Sequence, residues 1–238
     1  MSTTLEVGGL RFLVRRSARR TTLGLTVDRG GELILHAPER VDEEELQRWT
    51  HSRLLWVHRK LAEKRALTAR VREPEFVSGE SFSFLGRPYP LKLVAEQDVP
   101  LRLEGTRFLL RRDAQGTASE HFRRWYIEAG REWLRDRVRW DARRIGAAPA
   151  RVEVRDLGFR WGSCGRSSAV FFNWRLLQLP VRLADYVIVH ELGHLVEPHH
   201  GLEFSRLLDR ALPDWRQRQD ELRHRAQDLF WCHGRMMQ

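Results

Sequence analysis

Residues 183–197 read Leu-Ala-Asp-Tyr-Val-Ile-Val-His-Glu-Leu-Gly-His-Leu-Val-Glu, the densest helical pattern in the chain. His190 and His194 are four residues apart, so on a helix both imidazoles lie on one face, one turn above the other. Two rings placed in this way can share one metal ion. Glu191 follows the first histidine and can lean toward a metal-bound water. Val187, Ile188 and Val189 run into the motif, so the helix is expected to be buried on more than one side. Two histidines and a glutamate in such a place are costly unless they are paired or bound. Pro198 stops the helix.

A catalytic zinc site usually takes three protein ligands and keeps a position for water. His200, six residues after His194 and just past the helix stop, is the preferred third ligand. His199 is the nearest alternative, and Glu197 and Glu203 are carboxylate alternatives. Three imidazoles suit one zinc ion per chain, although nickel, cobalt or another divalent ion fits the same nitrogens. Zinc would lower the pKa of a bound water to about 7 and polarise a carbonyl. Glu191 would then act as general base and hand the proton to the leaving amine.

The 238 residues contain 42% hydrophobic and 31% charged residues, which is enough to bury a core and excludes wholesale disorder. No run approaches the ~18 apolar residues of a membrane span, and residues 1–10 lack the apolar segment of a secretory signal. Only two cysteines are present, Cys164 and Cys232, so a reducing cytoplasmic setting is expected. The net charge is +10, carried by 39 arginines and 3 lysines. Residues 1–117 hold 21 basic and 16 acidic residues and residues 118–238 hold the same numbers, so the charge is spread rather than gathered in a tail.

The first third is β-rich, with strands expected over 10–14, 22–27 and 32–36 and a turn at 28–31. An acidic first turn at Glu43, Glu44 and Glu45 opens a helix expected over 42–69. Strands are expected over 82–85, 89–94, 101–103 and 107–110, followed by a long helix over 119–144. The change of texture at 117/118 marks the expected boundary between a β-rich lobe, 1–117, and a helical lobe, 118–238. No internal repeat is visible. The second lobe opens with strands over 152–154 and 170–172, separated by the glycine-bearing segment 158–164.

Several side chains have both a functional and a structural meaning. Arg160 could bind a substrate carboxylate or phosphate, or form an ion pair. Asn173 could offer its amide to an oxyanion. Cys164 could reach the metal as a thiolate, or be a small buried hydrophobe. Glu203 and Asp209 could orient the metal histidines. Arg11, Arg15, Arg16, Arg19 and Arg20 could form an anion patch, or a solvated strand face. The arginines of 123–144 are interleaved with acids, which reads as helical ion pairing.

The segments Arg160-Trp161-Gly162-Ser163-Cys164, Asn173-Trp174-Arg175-Leu176, Tyr186 to His194, and His200-Gly201 with Phe204 resemble the bacterial YgjP-like metallopeptidases, relatives of the SprT-like zinc proteases. Arg16 to Thr21 and Ala37-Pro38 resemble that family's N-terminal β segment, so the resemblance spans nearly the whole chain. Ser205 departs from the tryptophan usual after the phenylalanine. The resemblance implies an α+β protein: a β-rich N-terminal lobe, then a zincin-like, gluzincin-type catalytic lobe built on the His-Glu-x-x-His helix, with an edge strand beside the cleft. His190, His194 and His200 fall on its metal positions and Glu191 on its base. The expected function is zinc-dependent cleavage of peptide or protein substrates. The alternatives are hydrolysis of a nucleotide phosphoanhydride, or a nucleic-acid-associated module such as a DNA-recruited protease.

Overall fold

Alternation of apolar and polar side chains builds the first sheet. The computed structural model describes residues 3–27, 32–69, 73–158, 160–165 and 167–229. Strand β1 (Thr3–Val7) buries Leu5 and Val7, and β2 (Leu10–Ser17) buries Phe12 and Val14. With β3 (Gly24–Val27) and β4 (Leu33–Pro38) they form a sheet of order β1-β2-β4-β3, in which only β2 and β4 are parallel. Side chains at every second residue share a face. Leu5, Val7, Phe12, Val14, Leu33, Leu35 and Ala37 therefore make one apolar face, which packs with Leu46 and Val57 of the following helices.

Those helices are α1 (Glu43–His51) and α2 (Leu54–Ala69). The Asp42 side chain accepts from the Glu45 N–H at 2.7 Å and caps α1. One helix was expected over 42–69, but the chain breaks at Ser52. Its hydroxyl donates to the Trp49 carbonyl at 2.7 Å, a local bond that competes with the helical ladder. Residues Met1–Arg70 form the first of two compact units.

The second unit is Val71–Gln238. Strands β5 (Ser81–Phe84), β6 (Arg87–Val94), β7 (Leu101–Glu104) and β8 (Arg107–Arg111) form a sheet of order β5-β6-β8-β7. Its outer pairs are antiparallel and its central pair is parallel, as in the first sheet. The repeat invisible in the sequence is thus a repeat of topology. A 3-10 turn (Arg112–Thr117) leads into α3 (Ala118–Ile145), which ends where Gly146 takes a left-handed conformation, φ 72°.

The packing does not divide at 117/118. Phe82 of β5 stacks on Phe122 of α3 with ring centroids 4.1 Å apart, and Phe108 of β8 lies 5.0 Å from the same ring. Tyr126 donates to the Ser83 carbonyl at 2.6 Å. The apolar face of the second sheet is covered by α3, so both belong to one core and the units separate between Arg70 and Val71.

Next come β9 (Arg151–Arg155), β10 (Gly162–Cys164) and β11 (Ala169–Asn173), in the order β10-β11-β9. The remaining elements are a 3-10 turn (Trp174–Gln178), α4 (Val181–Gly193), α5 (Leu202–Ala211) and α6 (Trp215–Leu229). Helix α4 stops at Gly193, short of the expected Glu197. The N–H groups of Leu195 and Val196 turn to carbonyls three residues back, at 3.0 Å each. No helix among the described residues is long and apolar enough to cross a membrane. The turn expected at 28–31, and Cys232, lie outside the described residues.

Candidate metal centre and cleft

Helix α4 presents His190 in its last turn and His194 at its C-cap. The loop between α4 and α5 returns His200 to the same place. The ring centroids lie 5.0 Å (His190–His194), 5.0 Å (His190–His200) and 4.6 Å (His194–His200) apart. One ligand nitrogen from each ring lies within 4.8 Å of the other two, and Nε2 of His190 is 3.1 Å from Nε2 of His200. Phe204 of α5 packs against all three imidazoles, with centroids 4.7–5.1 Å away. This ring wall fixes the imidazoles and excludes water from one side.

The electrostatics favour neutral imidazoles. Burial, then the charges of His194 and His200, push the His190 pKa down to about 4. His194 is lowered by burial and by His200, while the carbonyls of Glu197 and Pro198 act in the opposite sense. Two ring nitrogens facing each other at 3.1 Å without a proton between them repel, unless a cation lies against both. Neutral nitrogens are what a divalent ion binds, so the three histidines fit a zinc-type ion. His199, Glu197 and Glu203 are not in the cluster.

Glu191 is buried, 9% exposed, with its carboxylate against Gly162 of β10, and it lines the same cleft as His194. A Cβ on Gly162 would lie 2.7 Å from its Cδ and 2.8 Å from its Oε1, so only glycine lets strand and carboxylate meet. The Cys164 N–H donates to that carboxylate. Burial raises the Glu191 pKa to about 7, although the Arg160 charge and the Cys164 bond pull it down. Gly162 was not singled out from the residues; a glycine inside a strand was the available signal.

A cleft of about 650 Å³ opens here. It is lined by Ser163 and Cys164 of β10, by Glu191 and His194, and by Leu195 and Pro198. Strand β10 is an edge of its sheet. Ser167 and Ser168, at the rim, hold left-handed backbone at φ 48° and 53°, a strained conformation for residues other than glycine.

Other candidates take different places. Asn173 is fully buried. Its amide donates to the carbonyls of Gly158 and Arg160 at 2.8 Å each, and its oxygen accepts from the Arg175 N–H. Both amide hydrogens are engaged, so an oxyanion role is corrected to a structural one. Arg160 is exposed, with its charge felt at Glu191. Cys164 lines the cleft as a free thiol whose pKa is raised by burial and then by Glu191; it is not in the metal cluster. Glu203 pairs with Arg206 at 2.6 Å, and Asp209 with Trp215 and Arg216 at 2.8 and 2.6 Å, so neither orients a histidine.

A family model described as YgjP-like, metallopeptidase domain matches residues 21–225. No curated protein and no solved structure matches the chain.

Proposed function

The chain belongs to the YgjP-like metallopeptidase family, and from that premise we propose a zinc-dependent peptidase in which His190, His194 and His200 hold the ion and Glu191 moves the proton. A metal-dependent hydrolase of peptides is the family's general character. The observation that carries the finer assignment is the convergence of three imidazoles, one of which, His194, lines the same cleft as the buried Glu191 carboxylate. When bound, zinc supplies Lewis acidity that polarises a scissile carbonyl and acidifies water.

The chain's own groups do the rest. Glu191, with a pKa of about 7, can take a proton from the attacking water at its carboxylate and return it to the leaving nitrogen. The Cys164 N–H and the backbone at Gly162 hold that carboxylate in place. The open edge of β10 offers main-chain donors and acceptors to an extended peptide, as sheet edges do.

The test is zinc-loaded protein incubated with a diverse peptide mixture and, in parallel, with nucleoside triphosphates. Peptide cleavage that falls by at least about 100-fold in Glu191→Gln supports the assignment. Undiminished cleavage by the variant contradicts it. Release of pyrophosphate without any peptide cleavage also contradicts it.

A further inference from the structure

The open face of the first sheet carries a row of two guanidinium groups with an imidazole between them and no acid in the row. Strand register sets Arg15 of β2 opposite His36 of β4, and His36 opposite Gly24 of β3. Paired residues share a face, and this one is opposite the apolar face formed by Phe12, Val14 and Leu35. Gly24 has no side chain, and the Arg20 guanidinium lies over it, with one nitrogen 2.8 Å from where a Cβ would stand. The Nε of Arg20 donates to the Thr22 carbonyl at 3.2 Å, which anchors the guanidinium there. Arg15, His36 and Arg20 therefore line up across three neighbouring strands, about 4.8 Å apart strand to strand. Arg19 stands exposed beside them.

Elsewhere many arginines are engaged, although Arg87, Arg107, Arg112, Arg123, Arg124 and Arg131 are also exposed with no acidic partner among the described residues, so it is the alignment across the sheet that sets this face apart. Arg11 pairs with Glu6 at 3.1 Å, and Arg16 is bound by the carbonyls of Pro38, Glu39 and Val41 at 2.6–3.3 Å. Arg102, Arg111, Arg137, Arg144, Arg216, Arg218 and Arg223 each have an acidic partner. Among the described residues Arg15, Arg19 and Arg20 have no carboxylate partner, and all three are exposed. His36 registers the local potential: burial lowers its pKa, and so do the charges of Arg20 and Arg15. Arg20 also lines a pocket of about 290 Å³ with Arg40 and one acid, Glu39. Charge density agrees, since residues 1–70 hold 14 basic and 9 acidic residues while the longer stretch 71–238 holds 28 and 23.

The geometry points to a binding surface for the phosphate backbone of a nucleic acid on the open sheet face, with Arg15, Arg19 and Arg20 as its phosphate contacts. Unpaired guanidinium forks in a line match successive phosphodiesters on an extended polyanion. Leu13 is half-buried and Ile34 buried, so the face has no protruding apolar side chain to enter a bilayer. The His36 imidazole on this face is half-buried and hydrogen-bonded to the Thr26 hydroxyl at 3.2 Å, so binding is to the backbone and independent of sequence.

The test measures fluorescence anisotropy of a labelled 20-base-pair duplex, and of its single strand, with the intact protein. Three phosphate contacts predict that duplex affinity falls about 40-fold between about 50 and 200 mM salt. Arg15→Glu/Arg20→Glu is expected to lose at least about tenfold of the affinity at the lower salt, and Arg15→Gln/Arg20→Gln to lose less, each with an unchanged unfolding midpoint. Glu191→Gln is expected to bind like the parent, which separates this surface from the cleft. Arg107→Glu/Arg112→Glu removes the same charge from exposed positions on the second unit and is expected to bind normally. Equal loss in that control would show diffuse attraction and overturn the proposal. Absence of duplex and single-strand binding, or binding to anionic lipid vesicles in their place, would overturn it as well.

Discussion

Gly162 and Glu191 occupy each other's space, and that gives one glycine a task in the cleft. A methyl group at Gly162 would stand 2.8 Å from Oε1 of the proposed base. Gly162→Ala is expected to destabilise the protein by about 1–3 kcal/mol through overpacking and to reduce peptidase turnover while metal content stays unchanged. Shortening the partner in Gly162→Ala/Glu191→Ala should restore the unfolding midpoint. A double variant as unstable as Gly162→Ala alone would contradict the contact. A second residue-scale prediction concerns Arg175, fully buried with Asp156 3.3 Å away. Burial alone would raise the Asp156 pKa, but the Arg175 charge, the Gly158 N–H and the Trp174 side chain hold it below the usual aspartate range. A depressed carboxylate contributes stability above its unfolded pKa, about 4, and loses it as pH falls through the folded value. Asp156→Asn is expected to cost about 3 kcal/mol at neutral pH by removing the carboxylate charge beside the buried guanidinium, and to flatten the acid limb of stability against pH. Chemical unfolding across that range checks both.

Among the elements, α4 was legible because a run of apolar residues this dense has one periodicity. Its early end was not legible, because the switch of the Leu195 and Val196 N–H groups to nearer carbonyls leaves no compositional mark. Ser52 broke the expected single helix through one hydroxyl bond to Trp49, a local competition that periodicity does not register. Asn173 was misassigned for a similar reason: its residue type is equally suited to an oxyanion and to two loop carbonyls, and only the fold decides. His200 could be preferred but not fixed from sequence, since its approach depends on the α4–α5 loop. The aromatic cluster of β5, β8 and α3 shows where the sequence boundary failed, because Phe82, Phe108 and Phe122 belong to segments of different texture yet share one core. Phe122→Ala is expected to cost about 3–5 kcal/mol and to melt the second sheet together with α3 in one transition. Loss of α3 alone, with the sheet's amide protection intact, would contradict that packing.

For the whole molecule, the division between Arg70 and Val71 makes its own prediction. A chain starting at Val71 keeps the sheet that covers α3 and is expected to unfold cooperatively, whereas a chain starting at Ala118 exposes Phe122 and Tyr126 and is expected not to fold. Cooperative unfolding of the shorter chain would restore the boundary at 117/118. The central claim is that three histidines from α4 and the following loop hold one metal ion. Elemental analysis of the purified chain, after incubation with zinc and removal of the excess, tests it most directly. The account predicts close to one zinc per chain, lost in His194→Ala and His200→Ala and kept in His199→Ala. A metal-free parent protein, or full metal content in His200→Ala, would contradict it.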